Sequence, residues 1–233
     1  MVNRFSDYAK DNFIATAISS FTSADIPDQS VAEDEVRVRL SNFILNVMLG
    51  PRPATPDFRL WFLVLRRVRI AFEEYGLARA QTARYLDGAS DPDAPVAFGP
   101  YFSALHHWEQ HLAALWQSFS TLNALVQAMA GEPQKAFAKG DGSVLERLNA
   151  LHNTAKHAED RISDGRMPDE GTTAIWLTNI GINCLEASIA YEELADALVE
   201  LATWCFVIEH PAGSQERLRD LMTLAAASEV SDR

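Results

Sequence analysis

The side chains with the clearest chemical capacity lie in one stretch of the chain, residues 141–163, DGSVLERLNALHNTAKHAEDRIS. Those able to bind an anion or transfer a proton are Arg147, Asn149, His152, Asn153, Lys156 and His157. Asn149, Asn153 and His157 follow at four-residue steps, so an α-helix stacks them along one stripe, with the three cationic residues nearby. Because an imidazole exchanges its proton near neutral pH, this stretch is the first candidate site.

A second group of such residues forms the run HHWEQH and consists of His106, His107, Glu109 and His111. His107 and His111 lie one helical turn apart, a spacing that can chelate a metal. His152 or His157 could complete such a site from a neighbouring helix, giving a bundle that resembles the DinB-like metal proteins. Glu109 is one place away from the zincin order, and the sequence has no Glu-x-x-His pair. We therefore expect no metal and no cofactor.

The first candidate site requires a helix to position it. Ser143 and Glu146 form a capping box after the turn-forming pair Asp141-Gly142, which predicts a helix from Ser143 to residue 163. Its apolar residues recur at three- and four-residue steps and predict a core-facing stripe: Leu145, Leu148, Leu151, Ala155, Ala158 and Ile162.

The partner of that helix is predicted to be residues 100–129, which have the strongest helical period in the chain. The connection 130–142 is short enough to make the two helices antiparallel neighbours. The side chains expected to be buried between them are Leu112, Trp116 and Phe119 against Leu148, Leu151 and Ala155.

Three further helices are predicted nearer the N-terminus, over residues 5–21, 30–48 and 57–86. The predicted buried face of the second is Val36, Leu40, Phe43, Ile44 and Val47. The pair Asp87-Gly88 and the proline-containing residues 91–95 predict a loop before the next helix.

The pattern changes after residue 163. Residues 172–178, TTAIWLT, are β-branched and aromatic without a helical period, and predict a short strand. Residues 179–181 can turn the chain, so that 187–191 returns as the second strand of a small hairpin.

The remainder of the chain is predicted to be helical. A helix over 192–209 would follow the hairpin; alternatively, a single helix begins at Asn183 with Glu186 as its capping partner. The break Pro211-Ala212-Gly213 separates it from a last amphipathic helix over 214–227.

Composition and charge narrow the class of protein. Hydrophobic residues make up 48% of the chain and charged residues 22%, which is typical of a globular domain. The net charge of −12 disfavours sequence-independent nucleic-acid binding over a whole face, but it permits a local basic cleft. Cys184 and Cys205 lack metal-type spacing, and the N-terminus has no apolar signal region, so we expect a cytoplasmic protein. Arg66, Arg67 and Arg69 interrupt the most apolar run, so no membrane span is expected.

These patterns predict a mainly α fold, a bundle of about six or seven helices with a small β-hairpin. We expect a single domain over residues 1–233, centred on the packing of 100–129 against 143–163. Its parts would be the N-terminal helices (1–95), the central helix pair (96–163), and the hairpin with the C-terminal helices (164–233).

Residues 100–163 resemble the HEPN superfamily, helical bundles whose signature is an Arg, often followed by a polar residue, with a His a few positions later. Arg147 and His152 satisfy that spacing. The run from His152 to His157 has the more typical layout, with Asn153 in second place, but places His152 where the family has Arg. Both alignments are open from the sequence.

The resemblance implies a metal-independent ribonuclease, or an RNA-binding component, of a bacterial defence or toxin–antitoxin system. It further implies a homodimer and an antitoxin or other protein partner. Attack by the RNA 2′-hydroxyl needs a group that takes a proton, one that gives a proton, and a cation on the phosphate. His157 would be the acid or base and Asn153 would orient it or the phosphate. Arg147 or Lys156 would supply the charge, and Glu109 would line the same cleft.

A non-enzymatic helical scaffold is the alternative. The second alignment lacks the family's Arg, and many members of the superfamily are non-catalytic RNA-binding or scaffold bundles. Asn153 and His157 would then form a helix-surface pair or a buried polar network. Such a scaffold would have a large apolar surface and no open cleft at His157.

Overall fold

The computed structural model describes residues 20–50, 58–89, 98–131, 135–165 and 173–209. These form a mainly helical fold with a small three-stranded antiparallel sheet, which confirms the predicted class. The helices are α1 (Ser30–Leu49), α2 (Phe58–Ala89), α3 (Phe98–Ala130), α4 (Val144–Lys156), α5 (Ala158–Ser163) and α6 (Tyr191–Glu209). The strands are β1 (Trp176–Leu177), β2 (Gly181–Asn183) and β3 (Ser188–Ala190). No helix in these ranges is long and apolar enough to cross a membrane.

Some predicted elements fall outside the described residues. The helix predicted over 214–227 and the loop over 91–95 are among them, as is all but the last two residues of the helix predicted over 5–21. Of those two residues, Ser20 is helical and Phe21 is not.

The core is built mainly on the packing of α2 against α3, which is the most extensive helix pairing in the described chain. This corrects the prediction that residues 100–129 pack chiefly against 143–163. The two long helices contribute buried apolar side chains over most of their length: Val64, Leu65, Val68, Ala71, Phe72, Trp108, Leu112, Leu115 and Leu122. Because α4 has 13 residues and α2 has 32, α2 offers α3 a much longer apolar stripe.

Helix α4 does pack against α3, and the two share the core through Leu148, Leu151, Leu112 and Phe119. Trp116 and Ala155 are only partly buried, so the predicted contact set is partly wrong. The helix predicted from 143 to 163 is interrupted at His157, whose φ of −109° and ψ of 28° separate α4 from α5. Ile162 lies beyond that break and is exposed, so the apolar stripe ends earlier than predicted.

Helix α1 matches its predicted position and packs against α2 and α6. Val36, Leu40 and Phe43 are buried as predicted, whereas Ile44 is exposed. Ile44 follows Phe43 by one residue, so the helix turns it about 100° away from the buried row.

Asp87-Gly88, predicted to begin a loop, lies within the last turn of α2. A glycine near a helix C-terminus costs the helix little, and the helix ends only one residue later.

The sheet differs from the predicted hairpin. The partner of β1 is β2, with Leu177 opposite Ile182, and β2 in turn pairs with β3, with Ile182 opposite Ile189. The predicted strand over 187–191 is therefore the third strand, and the alternative of a helix from Asn183 is wrong. Gly181 permits the close pairing, since a Cβ atom there would lie 2.0 Å from the carbonyl oxygen of Ile189.

Buried tyrosine hydroxyls attach the non-helical segments to the helices. Tyr75 donates a hydrogen bond of 2.9 Å to the Pro27 carbonyl, and Tyr191 donates one of 3.1 Å to the Thr178 carbonyl. The Tyr101 hydroxyl accepts a hydrogen bond of 3.3 Å from the backbone N–H of Leu177. Each bond satisfies a buried polar atom, so the sheet and the segment before α1 are held in place.

Candidate functional site

Hydrogen bonds at its N-terminus determine where α4 begins. The Ser143 hydroxyl accepts from the Glu146 N–H at 3.2 Å, as the capping box predicts. The Glu146 carboxylate accepts from the N–H groups of Gly142, at 2.9 Å, and Gly140, rather than from that of Ser143. Gly140 and Gly142 have φ of 81° and 69°, a conformation that favours glycine. This turn sets the start of α4 and hence the direction of its side chains.

Arg147 is bound to the C-terminal part of the chain. Its guanidinium forms a bidentate ion pair with Glu193, with distances of 2.6 Å and 2.9 Å. It also donates to the carbonyls of Ser188 at 3.0 Å and Gly142 at 3.2 Å. Hydrogen bonding to Arg147 lowers the pKa of the Glu193 carboxyl. Arg147 therefore connects α4 to β3 and α6.

The two asparagines of the predicted stripe bind each other. The Asn153 side-chain N–H donates a hydrogen bond of 3.0 Å to the Asn149 side-chain oxygen, and both side chains are partly buried. His157 is about half exposed, and its Nδ1 lies 3.3 Å from the Asp160 carboxylate. The structure thus gives Asn153 and His157 different partners.

His152, Lys156 and His157 lie together at the C-terminal end of α4. Burial lowers the pKa of the His152 imidazole, and the nearby charges of Lys156 and His157 lower it further. His152 is partly buried, whereas Lys156 and His157 are exposed. Because its pKa lies below the ordinary value of 6.5, His152 is mostly neutral at pH 7 and can accept a proton. We name these three residues the His152 cluster.

Helix α5, which follows the His152 cluster, carries Glu159 and Asp160 in its first turn and Arg161 in its last. Arg161 donates two hydrogen bonds, of 2.9 Å and 3.2 Å, to the Glu186 carboxylate in the connection between β2 and β3. The ion pair attaches α5 to the sheet. The position of α5, and with it the break at His157, is thereby tied to the C-terminal part of the chain.

Arg147 and the His152 cluster have separate surroundings. Ten residues separate Arg147 from His157, which corresponds to about 15 Å along a helix axis. Arg147 faces Glu193 and β3, whereas His157 lies beside Asp160. The structure therefore brings together the histidines of the second alignment, and places Arg147 of the first alignment in a structural ion pair.

Glu109 lies on α3 and is partly buried. Burial raises the pKa of its carboxyl, and the neighbouring His106 has a smaller opposing effect. The charged neighbour that acts on Glu109 is thus His106, one turn away on the same helix, and the lining of a shared cleft by Glu109 stays a prediction.

The histidines of the HHWEQH run face different surroundings. His107 Nδ1 lies 2.9 Å from the Glu74 carboxylate on α2. His111 is fully buried, and its Nδ1–H donates a 2.9 Å hydrogen bond to the Ala71 carbonyl. Burial lowers the pKa of His111 to about 4. Within the described ranges, no three or more His, Cys, Asp or Glu side chains are grouped so that they could hold a metal ion.

Three acidic residues were not identified from the sequence as partners of the basic side chains of α4 and α5: Asp160, Glu186 and Glu193. Asp160 lies three residues after His157 and could have been found from helical spacing. Glu186 and Glu193 contact Arg161 and Arg147 from 25 and 46 residues away, respectively. Such distant ion pairs leave no periodic signal in the sequence.

Comparison of the chain with protein-family models, with curated proteins and with solved structures found no match in any of the three.

Proposed function

We propose that this chain is a HEPN-like RNA-binding protein, that the His152 cluster binds the phosphate backbone, and that it cleaves RNA without a metal. The observation that supports this proposal most is the grouping of two imidazoles and an ammonium at the end of α4. RNA cleavage by the 2′-hydroxyl requires this combination of a proton acceptor, a proton donor and a fixed cation.

The three residues of the cluster are basic side chains in an acidic protein, with the Asp160 carboxylate beside His157. With a net charge of −12, the chain as a whole repels nucleic acid, so binding would depend on a small region in which positive charge is concentrated. The exposure of Lys156 and His157 leaves both side chains accessible to a phosphate. Hydrogen bonds from such cations to phosphate oxygens are short and strong compared with those between neutral groups.

Each member of the cluster has a role in the proposed reaction. Neutral His152 takes the proton from the 2′-hydroxyl as its oxygen attacks the adjacent phosphorus. His157 gives a proton to the departing 5′-oxygen, so that a cyclic phosphate and a 5′-hydroxyl are formed. Lys156 stabilises the negative charge that develops on the phosphate oxygens. In this scheme Arg147 positions α4 through Glu193 and does not contact RNA.

Binding is tested with a fluorescein-labelled single-stranded RNA at pH 7 in EDTA, by fluorescence anisotropy. Lys156→Ala should weaken binding by on the order of tenfold, since a charged hydrogen bond contributes roughly 1.5 kcal/mol. It should also reduce the slope of log affinity against log salt by about 0.7, the value for one phosphate contact on a single strand. Lys139→Ala is the matched control, because Lys139 is exposed and lies at the opposite end of α4.

Cleavage is tested on the same RNA by gel electrophoresis. His157→Ala should lower the rate by on the order of a hundredfold or more, while binding and the circular dichroism spectrum remain close to wild type. Equal binding by the Lys156→Ala and Lys139→Ala variants would contradict the proposed site. RNA binding without cleavage would leave the binding function and remove the enzymatic one.

We also propose a cytoplasmic location and a homodimer with a protein antitoxin as partner, as in the family that the chain resembles. Analytical ultracentrifugation of the purified chain tests the dimer directly. A monomer at micromolar concentration would contradict it.

A non-enzymatic scaffold is the second candidate function. One observation favours it: Arg147 is held in an ion pair with Glu193. If the wild-type chain binds no RNA and His157→Ala lowers the melting temperature, His157 has a structural role and the scaffold is favoured.

A further inference from the structure

Helix α1 is apolar on two opposite faces. Its inner face buries Val36, Leu40 and Phe43. On its outer side Val31, Val38 and Leu45 follow at seven-residue intervals and are 75%, 56% and 52% exposed, respectively. Residues seven apart lie on the same side of a helix, so these three form one row, which we name the outer row. A row of exposed apolar side chains of this kind marks a surface at which another segment binds.

Helix α6 lies beside α1 and extends this surface. The Arg39 guanidinium of α1 stands 4.7 Å from the centre of the Phe206 ring, which fixes the two helices side by side at this point. Val199 and Phe206, also seven residues apart, are 46% and 45% exposed. A depression of about 450 Å³ lies along the first part of the outer row, where it is lined by Val31, Asp34, Glu35, Val38, Arg39 and Asn42.

We propose that residues 214–227 of the same chain dock as a helix on the outer row of α1, alongside α6. This segment, which lies outside the described residues, has an apolar stripe of Leu218, Leu221, Met222 and Ala225 at helical spacing. Its 14 residues would form a helix about 21 Å long. The outer row from Val31 to Leu45 spans the same length, about 21 Å.

The place where residues 214–227 join the described chain favours them as the segment that covers the outer row. Helix α6 ends at Glu209, and the four residues 210–213 can span up to about 14 Å. Neighbouring helices pack with their axes about 8–10 Å apart, so a helix that follows this connection can lie beside α6 and reach α1. The tether gives the segment an effective concentration on the order of millimolar, without the cost of bringing two molecules together.

The segment before residue 20 is less well placed. It joins the described chain next to Phe21, whose ring stacks on Tyr85 at 5.5 Å, near the C-terminal end of α2. Helix α1 runs toward the opposite end of α2, where Phe43 stacks on Phe58 at 5.6 Å. The attachment of residues 1–19 is therefore remote from Leu45, whereas that of residues 210–213 adjoins α6.

The test is a cysteine pair in the full chain, Val38→Cys with Leu221→Cys. Val38 is the middle of the outer row and Leu221 is near the middle of 214–227, so the pair should meet whichever way the segment runs. The native Cys184 and Cys205 are buried, so they should not compete for oxidation. The control pair is Val38→Cys with Asp220→Cys, because residue 220 lies on the opposite side of the predicted helix from the apolar stripe.

We expect the Val38/Leu221 pair to form an intramolecular disulfide on the order of tenfold faster than the control, because a disulfide requires Cα atoms within about 7 Å. Non-reducing gel electrophoresis and mass spectrometry would identify the product as a monomer. Disulfide-linked dimers would show that a second copy covers the outer row and would overturn the proposal. Equal rates for the two pairs would overturn it as well.

A second cysteine pair keeps the test valid if the first pair prevents folding. If the Val38→Cys variant loses its helical circular dichroism signal, Val199→Cys with Leu221→Cys tests the same docking from the α6 side. An intramolecular disulfide is again expected, with Val199→Cys and Asp220→Cys as the control. Failure of this pair to cross-link in a folded protein would overturn the proposal. The outcome does not depend on RNA binding.

Discussion

The buried imidazole of His111 should make the stability of the fold depend on pH. His111 is fully buried between the rings of Tyr75 and Trp108, at centroid distances of 5.2 Å and 5.6 Å. Its Nδ1–H is bonded to Ala71, and within the described chain its Nε2 has no hydrogen-bond partner. A proton on Nε2 would therefore place an unbalanced charge in the core, and this burial is what lowers the pKa to about 4.

The direction and the size of this pH dependence follow from the pKa values of His111 in the unfolded and folded states. The pKa is 6.5 in the unfolded chain and about 4 in the folded one, so the unfolded state binds more protons between these pH values. The contribution to stability is complete above pH 6.5 and is lost as the pH falls toward 4. The total loss is about 3 kcal/mol, of which about 2 kcal/mol should be lost by pH 5.

The assay is urea denaturation of the wild type and of His111→Leu at several pH values from 7.5 to 5. Circular dichroism monitors the unfolding. Leucine fills a similar volume and removes the titrating group. Loss of the hydrogen bond to Ala71 and removal of the unsatisfied Nε2 have opposite effects, so the two proteins should differ little at pH 7.5. From pH 7.5 to 5 the free energy of unfolding of the wild type should fall by about 2 kcal/mol more than that of His111→Leu. Parallel pH profiles for the two proteins would refute the reasoning.

Three further predictions concern contacts that hold the fold together. Gly181→Ala should destabilise the protein by about 2 kcal/mol or more in urea denaturation, because the new Cβ would lie 2.0 Å from the Ile189 carbonyl oxygen. A urea midpoint equal to that of the wild type would contradict the β2–β3 pairing. Arg147→Ala should lower the free energy of unfolding by about 1 kcal/mol, since the ion pair with Glu193 is partly exposed. That loss should shrink in a Glu193→Ala background, and equal losses in both backgrounds would argue against the pair. Tyr191→Phe should lower the free energy of unfolding, measured in the same way, by about 1 kcal/mol, because it removes the hydrogen bond to the Thr178 carbonyl. An unchanged free energy of unfolding would mean that this bond does not hold the sheet.

Hydrophobic periodicity was sufficient to predict the long helices. Apolar side chains at three- and four-residue steps predicted α1, α2 and α3 close to their observed limits, because a helix leaves its period within a short window of sequence. The sequence signal for the start of α4 was equally local, since the Ser143 cap and its partner Glu146 are three residues apart. Residue types alone also made α4 the candidate site, which stays a prediction.

The sheet was less predictable from the sequence. Strand β2 is the three residues Gly181–Asn183, too short for an alternating pattern, and it is a strand because it pairs on both sides. The extended conformation there depends on hydrogen bonds to β1 and β3 on its two sides, whereas the local pattern favoured a turn at Gly181.

The composition of the candidate site was decided by tertiary contacts. The sequence left two alignments open, one with Arg147 and one with His152 in the first position. Packing brings Glu193 from α6 against Arg147 and Glu186 from the β2–β3 connection against Arg161. The sequence alone determined which residues could carry charge and exchange protons, because that depends on residue type. Which of them pair with carboxylates, and which remain exposed, depends on burial and on partners far away in the chain, and these exist only in the folded protein.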